Sequence, residues 1–323
     1  MIRISRRLLE CCLVLCGAIA ACDASALNVY SVGPANLIRR LADDFRQQTG
    51  IPVTVYQGDT GQVLQRLQQE SADPQADVVI IGSWRSAAEL SAKGALLPNR
   101  PAGSEHIPAQ YRTPTYVAQG LATLAIVWRV DSGTPRPQDW SDLVAPAFLD
   151  RIATVDPANS GSSLDLIAAW EANSGSEVWD LLKKLKQNGM VSAGSNAQAM
   201  ATVIRGDKAA LFAVADHTAL EDKAGGAPIE VIFPKSGTIA TARPVMILKT
   251  TKAPDDAKRF VDFLLSPAGQ RRAAAQYIIP ARDDVAPIRP PLDAIKLLPT
   301  PADGAEKPGR AALLKRFSEL FTR

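Results

Sequence analysis

At 323 residues the chain has room for one large domain or two ordinary ones, and a hydrophobic share of 46% supplies a sizeable core. A formal charge of only +3 leaves too small a cationic surplus for a nucleic-acid binder. The 4 cysteines, Cys11, Cys12, Cys16 and Cys22, all precede Leu27, so a chain processed there has no disulfide, thiolate metal site or cysteine nucleophile.

The first elements are processing signals. "MIRISRR" is a basic start, "LLECCLVLCGAIAA" a mostly apolar run with Glu10 in it, and "ASA" a small-residue cleavage site before Leu27. Residues 1–26 are therefore expected to be a secretory signal, too short to span a bilayer comfortably, and the protein is expected in the periplasm. The alternative is lipoprotein processing at "IAAC", with Cys22 acylated.

Next, "LNVYSV" predicts a strand, and the following helix places Leu37, Ile38, Leu41 and Phe45 on one face up to Gly50. "IPVTVYQ" is a second strand, and Asp59 or Thr60 caps a helix with Val63, Leu64 and Leu67 inward. "ADVVIIG" is a continuous apolar run, the pattern of a strand buried on both faces. A helix over 86–93 stops at Gly94. This β-α-β-α-β-α order predicts a parallel sheet flanked by helices.

The long apolar segment 119–128 predicts a strand that leaves the first sheet for a second. From Arg151 the alternation resumes: "IATV", the polar loop "DPANSGSS", a helix to about Asn173, and a helix from Ser176 to Gly189. A short helix opened by "GSNAQ" follows, then strands "AALFAVA", "IEVIFP" and "ATARPVMILK". A surface-running, proline-rich stretch precedes a final amphipathic helix with Leu313, Leu314, Phe317, Leu320 and Phe321. The fold class is α/β: two lobes, each a mostly parallel sheet flanked by helices, joined by crossing hinge strands. The expected divisions are 27–122 for the first lobe, 123–240 for the second, and 241–323 for a return to the first with the C-terminal helices.

Small polar turns recur at the carboxyl ends of these strands, where open α/β sheets bind ligands. A helix start offers unpaired N–H groups and a partial positive charge, and hydroxyls beside it add donors for an anion. The candidates are Ser31 and Asn36 in the first turn, Thr60 and Gly61 in the second and Ser83 in the third. The second lobe adds Ser160, Gly161 and Ser162 in "NSGSS", and Ser195 and Asn196 in "GSNAQ". Each turn alone reads more readily as an ordinary helix cap than as a binding loop; repetition in both halves is what points to an anion. Arg85, Lys235 and Arg243 are candidate neutralising charges, ranked below the loops.

"LNVYSVGPANLIRRLADDFRQQTGIPVTV", "ADVVIIGSWRSAAELSAKGALLP" and "ARPVMILKTTKAPDDAKRFVDFLLSPAGQRRAAAQYIIPARDDV" resemble bacterial extracellular solute-binding proteins of ABC importers. The tail is similar to the branch known for ferric iron, 2-aminoethylphosphonate and phosphosugars. The resemblance implies a type II periplasmic binding protein that closes on its solute and docks on an inner-membrane permease, with a sensor kinase as a further partner. A monomer with no cofactor, no resident metal and no nucleic-acid partner is expected. Where the ferric branch carries adjacent tyrosines this chain has Asp216, His217 and Thr218, so Asp216 and His217 become candidates for an organic ligand. The expected solute is a phosphonate or organophosphate; the alternative is ferric iron or an oxyanion. An enzyme is disfavoured, because the mature chain has only His106 and His217 and neither a G-x-S-x-G nor an H-E-x-x-H motif.

Overall fold

The structure is a computed structural model and describes residues 26–299 and 309–321. The expected leader, with Cys22, lies outside the described residues.

The chain opens with β1 (Leu27–Val32), α1 (Ala35–Thr49), β2 (Val53–Gly58), α2 (Thr60–Gln69), β3 (Val78–Ile80) and α3 (Trp84–Ala92). β1 pairs in parallel with β2 on one side and β3 on the other. α1 buries Leu37, Ile38, Leu41, Ala42 and Phe45, the stripe its 3.6-residue period dictates. Asp59 starts α2 through a capping box with Gln62.

Next come β4 (Tyr116–Arg129), β5 (Ile152–Thr154), α4 (Gly161–Ser174), α5 (Glu177–Gln187), β6 (Val191–Ser192), α6 (Asn196–Ile204), β7 (Ala210–Ala215), α7 (Asp216–Ala224) and β8 (Ile229–Ile232). The chain then returns through β9 (Ala240–Ile247), α8 (Pro254–Leu265), α9 (Pro267–Ala274) and β10 (Ile279–Pro280), and ends its described part with α10 (Arg310–Phe321).

β4 runs through both lobes. β4 pairs with β9 and β10 from Tyr116 to Thr123, then changes partners and pairs with β7 and β8 from Leu124 onward. The strand order is β2-β1-β3-β9-β4-β7-β5-β6. Pairing is parallel at the outer strands of each lobe and antiparallel around β4 and β9, because a strand returning from the far lobe must run the opposite way. The first lobe packs Phe45, Phe260 and Ile278 against its sheet, and the second packs Trp140, Phe148 and Leu182.

One expected placement is corrected. α8 and α9 return to the first lobe, but α10 does not: Leu313 and Phe317 are buried in the second-lobe core, and Arg316 pairs with Glu171 of α4 at 2.8 Å. An apolar stripe fixes which face of a helix is buried, and not which surface receives it.

Candidate functional site

Helix-opening turns of both lobes meet at one junction. Ser160 is the N-cap of α4, its hydroxyl accepting from Ser163 N at 3.3 Å. Ser162 Oγ lies 3.1 Å from it, and Asn196 Nδ2 donates to it at 3.2 Å. Asn196 Oδ1 accepts from Ala215 N at 3.2 Å, so it ties the start of α4 to the start of α7. From the first lobe, Thr60 N donates to Asn159 O at 3.1 Å.

The approach leaves no room for side chains. A Cβ on Gly61 would lie 2.6 Å from Ala158 O, and one on Gly161 would lie 2.6 Å from Ser83 Cβ. The two loops need glycine because backbone meets backbone there. Expected result: Gly161→Val weakens lobe closure and raises the radius of gyration measured by small-angle scattering, while the far-ultraviolet circular dichroism stays unchanged.

Arg243, on β9, is the group at this junction with the least compensation. It is 6% exposed, and its guanidinium donates to the Val32 carbonyl while Nε has no partner. Burial alone pushes it down to about 10; no carboxylate pulls the other way. A crevice of about 10 Å³ beside it is lined by Ser31, Val32, Gln119 and Arg243. A larger hollow of about 350 Å³ lies on α2 and the edge strand β2. Its charges, Arg66 and Glu70, already satisfy each other at 2.6 Å.

His217, in the first turn of α7, is 4% exposed and its Nδ1 has no partner. Burial pushes its imidazole down to about 3, with Arg243 and then Arg289 adding to the effect, so the ring is neutral. Thr60 Oγ1 is likewise buried without a partner. These atoms can meet a ligand oxygen or hydroxyl.

The depressed His217 and a raised Asp165 act oppositely on stability. Asp165, on α4, is raised by burial from 3.8 to about 6. Stability from its fold environment is therefore greatest below 3.8 and is lost as pH rises through about 6. His217 contributes stability above 6.5 that is lost as pH falls towards about 3. Between these limits the two slopes cancel. Replacing His217 with Gln is expected to unmask the Asp165 slope: urea titrations from pH 6 to pH 4 should show the variant gaining on the wild type by about 1.4 kcal/mol per pH unit.

Several candidate residues have other duties. Asn36 is exposed in the first turn of α1 and stays outside the junction. Ser195 accepts from Gln198 N, closing a capping box for α6. Ser83 caps α3, and its Oγ donates to Asp165 Oδ1 at 2.9 Å, so that helix tip is filled by the protein's own carboxylate. Both oxygens of Asp216 are engaged, by Thr123 N at 3.1 Å and Thr123 Oγ1 and by Arg289 Nη1 at 2.5 Å. Lys235 is exposed and bonded to Gln138. Ser31, Thr60, Gly61, Ser160, Gly161, Ser162, Asn196 and His217 line or border the junction. Arg243, ranked low from sequence, is a buried cation there, while Asp165, Thr123 and Arg289 carried no signal in the sequence at all.

Among the described residues one histidine–carboxylate cluster lies elsewhere: His106 Nδ1 is 3.4 Å from Asp283 and 3.7 Å from Asp284. Its Asp284 is already paired with Arg282 at 2.6 Å, a cation where a metal would need a free carboxylate.

Residues 27–277 match the sequence profile of the bacterial extracellular solute-binding proteins. A periplasmic protein of Salmonella paratyphi A, named as a candidate for 2-aminoethylphosphonate binding, is 26% identical over 281 residues, 81% of each chain. Among solved structures, the periplasmic binding protein AfuA of Actinobacillus pleuropneumoniae with fructose 6-phosphate bound superposes with a TM-score of 0.83 at 22% identity, covering 92% of this chain and 98% of that one. Iron-bound HitA of Pseudomonas aeruginosa gives 0.78 at 23% identity, covering 91% and 99%. At such identities the likeness of the structures is one of fold. Among the described residues no helix is long and apolar enough to cross a membrane.

Proposed function

We infer that this chain, which belongs to the bacterial extracellular solute-binding protein family, captures a small organic anion between its lobes and delivers it to the membrane permease of an ABC importer. The observation that carries the anion reading is Arg243: a guanidinium buried at the lobe junction with, among the described residues, no carboxylate paired to it. A buried charge without a partner is costly, several kcal/mol in real proteins, so it is retained where an external counter-charge will meet it. The neutral His217 lies close enough to feel that charge, and the unpartnered Thr60 hydroxyl and the α4 start with Ser160 and Ser162 add uncharged donors and acceptors at the same junction.

A phosphonate or phosphate ester fits this set best, since its oxygens can take both the guanidinium fork and several hydroxyls. The Salmonella relative named as a candidate for 2-aminoethylphosphonate binding supports the same chemistry. Ferric iron fits poorly. It needs anionic oxygen ligands, whereas Asp216 is held by Arg289 and Asp165 by three donors, and Arg243 repels a cation. No catalytic step is assigned to these groups. Export as a periplasmic protein, by the signal at residues 1–26, completes the reading.

A thermal-shift screen tests it. 2-Aminoethylphosphonate, sugar phosphates, phosphate, sulfate and ferric citrate would each be added to the purified protein. A true solute at a hundred times its Kd adds about 2.7 kcal/mol to stability, a rise of several degrees. A rise with ferric citrate alone would overturn the anion reading. Replacing Ser160 and Ser162 together with Ala is expected to weaken binding of the solute so found tenfold or more in calorimetry.

A further inference from the structure

We infer that Asp165 is a built-in latch: a carboxylate of the second lobe that closes on donors of the first lobe without any solute. Its Oδ1 accepts from Ser83 Oγ at 2.9 Å, and its Oδ2 from Trp84 N at 3.1 Å and Thr241 Oγ1 at 3.3 Å. All three donors belong to the first lobe, two at the start of α3 and one on β9, while Asp165 rides on α4 of the second.

The start of α3 is where the backbone leaves N–H groups unpaired and the helix dipole is positive, so it attracts negative charge. Here the protein supplies that charge itself. The backbones are pressed together at the same place, with no space for a side chain on Gly161 against Ser83. Two cations face the carboxylate without displacing these donors, Arg85 of α3 and Arg310 of α10. Burial raises the Asp165 carboxyl despite all of them, which means that closing the lobes takes a carboxylate out of water at some cost. The three hydrogen bonds favour closure and the desolvation of the carboxylate opposes it, so the contact is made at a cost.

One consequence concerns the solute. Its anionic group is read beside Arg243, and not at the tip of α3, because that tip is already filled.

Hydrogen–deuterium exchange on the solute-free protein tests the latch, independently of whether the solute is an anion. The wild type, Asp165→Asn and Asp165→Ala would be compared at segments 82–88 and 158–166, with 37–45 in α1 as the internal reference. The latch requires at least tenfold faster exchange at both junction segments, with α1 unchanged, and a larger radius of gyration in small-angle scattering. Unchanged exchange at the junction would overturn it. So would equal acceleration in α1, which would make Asp165 a general stabilising residue. Should the alanine variant unfold, the near-isosteric asparagine variant decides between the same two outcomes.

Discussion

Replacing Arg243 with Met is expected to raise the melting temperature of the solute-free protein and to lower its affinity for the solute about a hundredfold. Both effects come from the same atoms. The guanidinium is 6% exposed, and burial pushes it down to about 10 with no carboxylate to compensate. Methionine fills a similar volume without the desolvation cost, and apolar replacement of buried charge is often neutral or stabilising by about 1–4 kcal/mol. With solute present the sign reverses, because losing a buried charged partner costs about 2–5 kcal/mol of binding. Scanning fluorimetry without solute and calorimetry with it separate the two. A lower melting temperature together with unchanged affinity would make Arg243 a structural residue. Such opposition between stability and function marks binding sites in general.

Asp216→Ala is expected to have the largest effect on folding, a loss of about 3–5 kcal/mol in urea titrations. Its side chain and that of Arg289 are both 0% exposed and lie 2.5 Å apart, with Thr123 closing the group through its N–H and hydroxyl. Removing the carboxylate leaves Arg289 buried and unpaired. A double replacement, Asp216→Leu with Arg289→Met, is expected to recover much of the loss, since it removes the stranded charge as well. If the single and double variants were equally unstable, packing and not charge would be the origin. The group fastens the segment after β10 to the hinge strand β4 at Thr123, where that strand changes lobes.

Local features were readable from the sequence, and partnerships across the chain were not. The stripe of α1 and the caps at Asp59, Ser83, Ser160 and Ser195 follow from residues a few positions apart, and the structure contains them. The long segment around 119–128 is the middle of β4, which runs through both lobes. Asp165 could not be read in the same way. It looks like a polar position on an amphipathic helix, yet its partner Ser83 stands 82 residues away. Arg243 lies in a strand buried on both faces, where alternation loses its meaning and a charged side chain gives no hint of which face it takes. Asp216 reads from sequence as a ligand candidate, whereas the structure pairs it with Arg289, 73 positions further on in a proline-rich stretch that reads as surface.

The position of β9 in the first sheet has a consequence for how the molecule assembles. β9 lies between β3 and β4 and pairs with both, although it is made more than a hundred residues after either begins. A nascent chain that has reached only β8 therefore holds its first sheet with the middle strand missing and two unpaired edges facing each other. Non-local pairings of this kind are slow to form and expose sticky edges meanwhile. The second-lobe sheet, whose strands are all made by Ile232, can form first, whereas the earlier-made first sheet stays incomplete until β9 has been added.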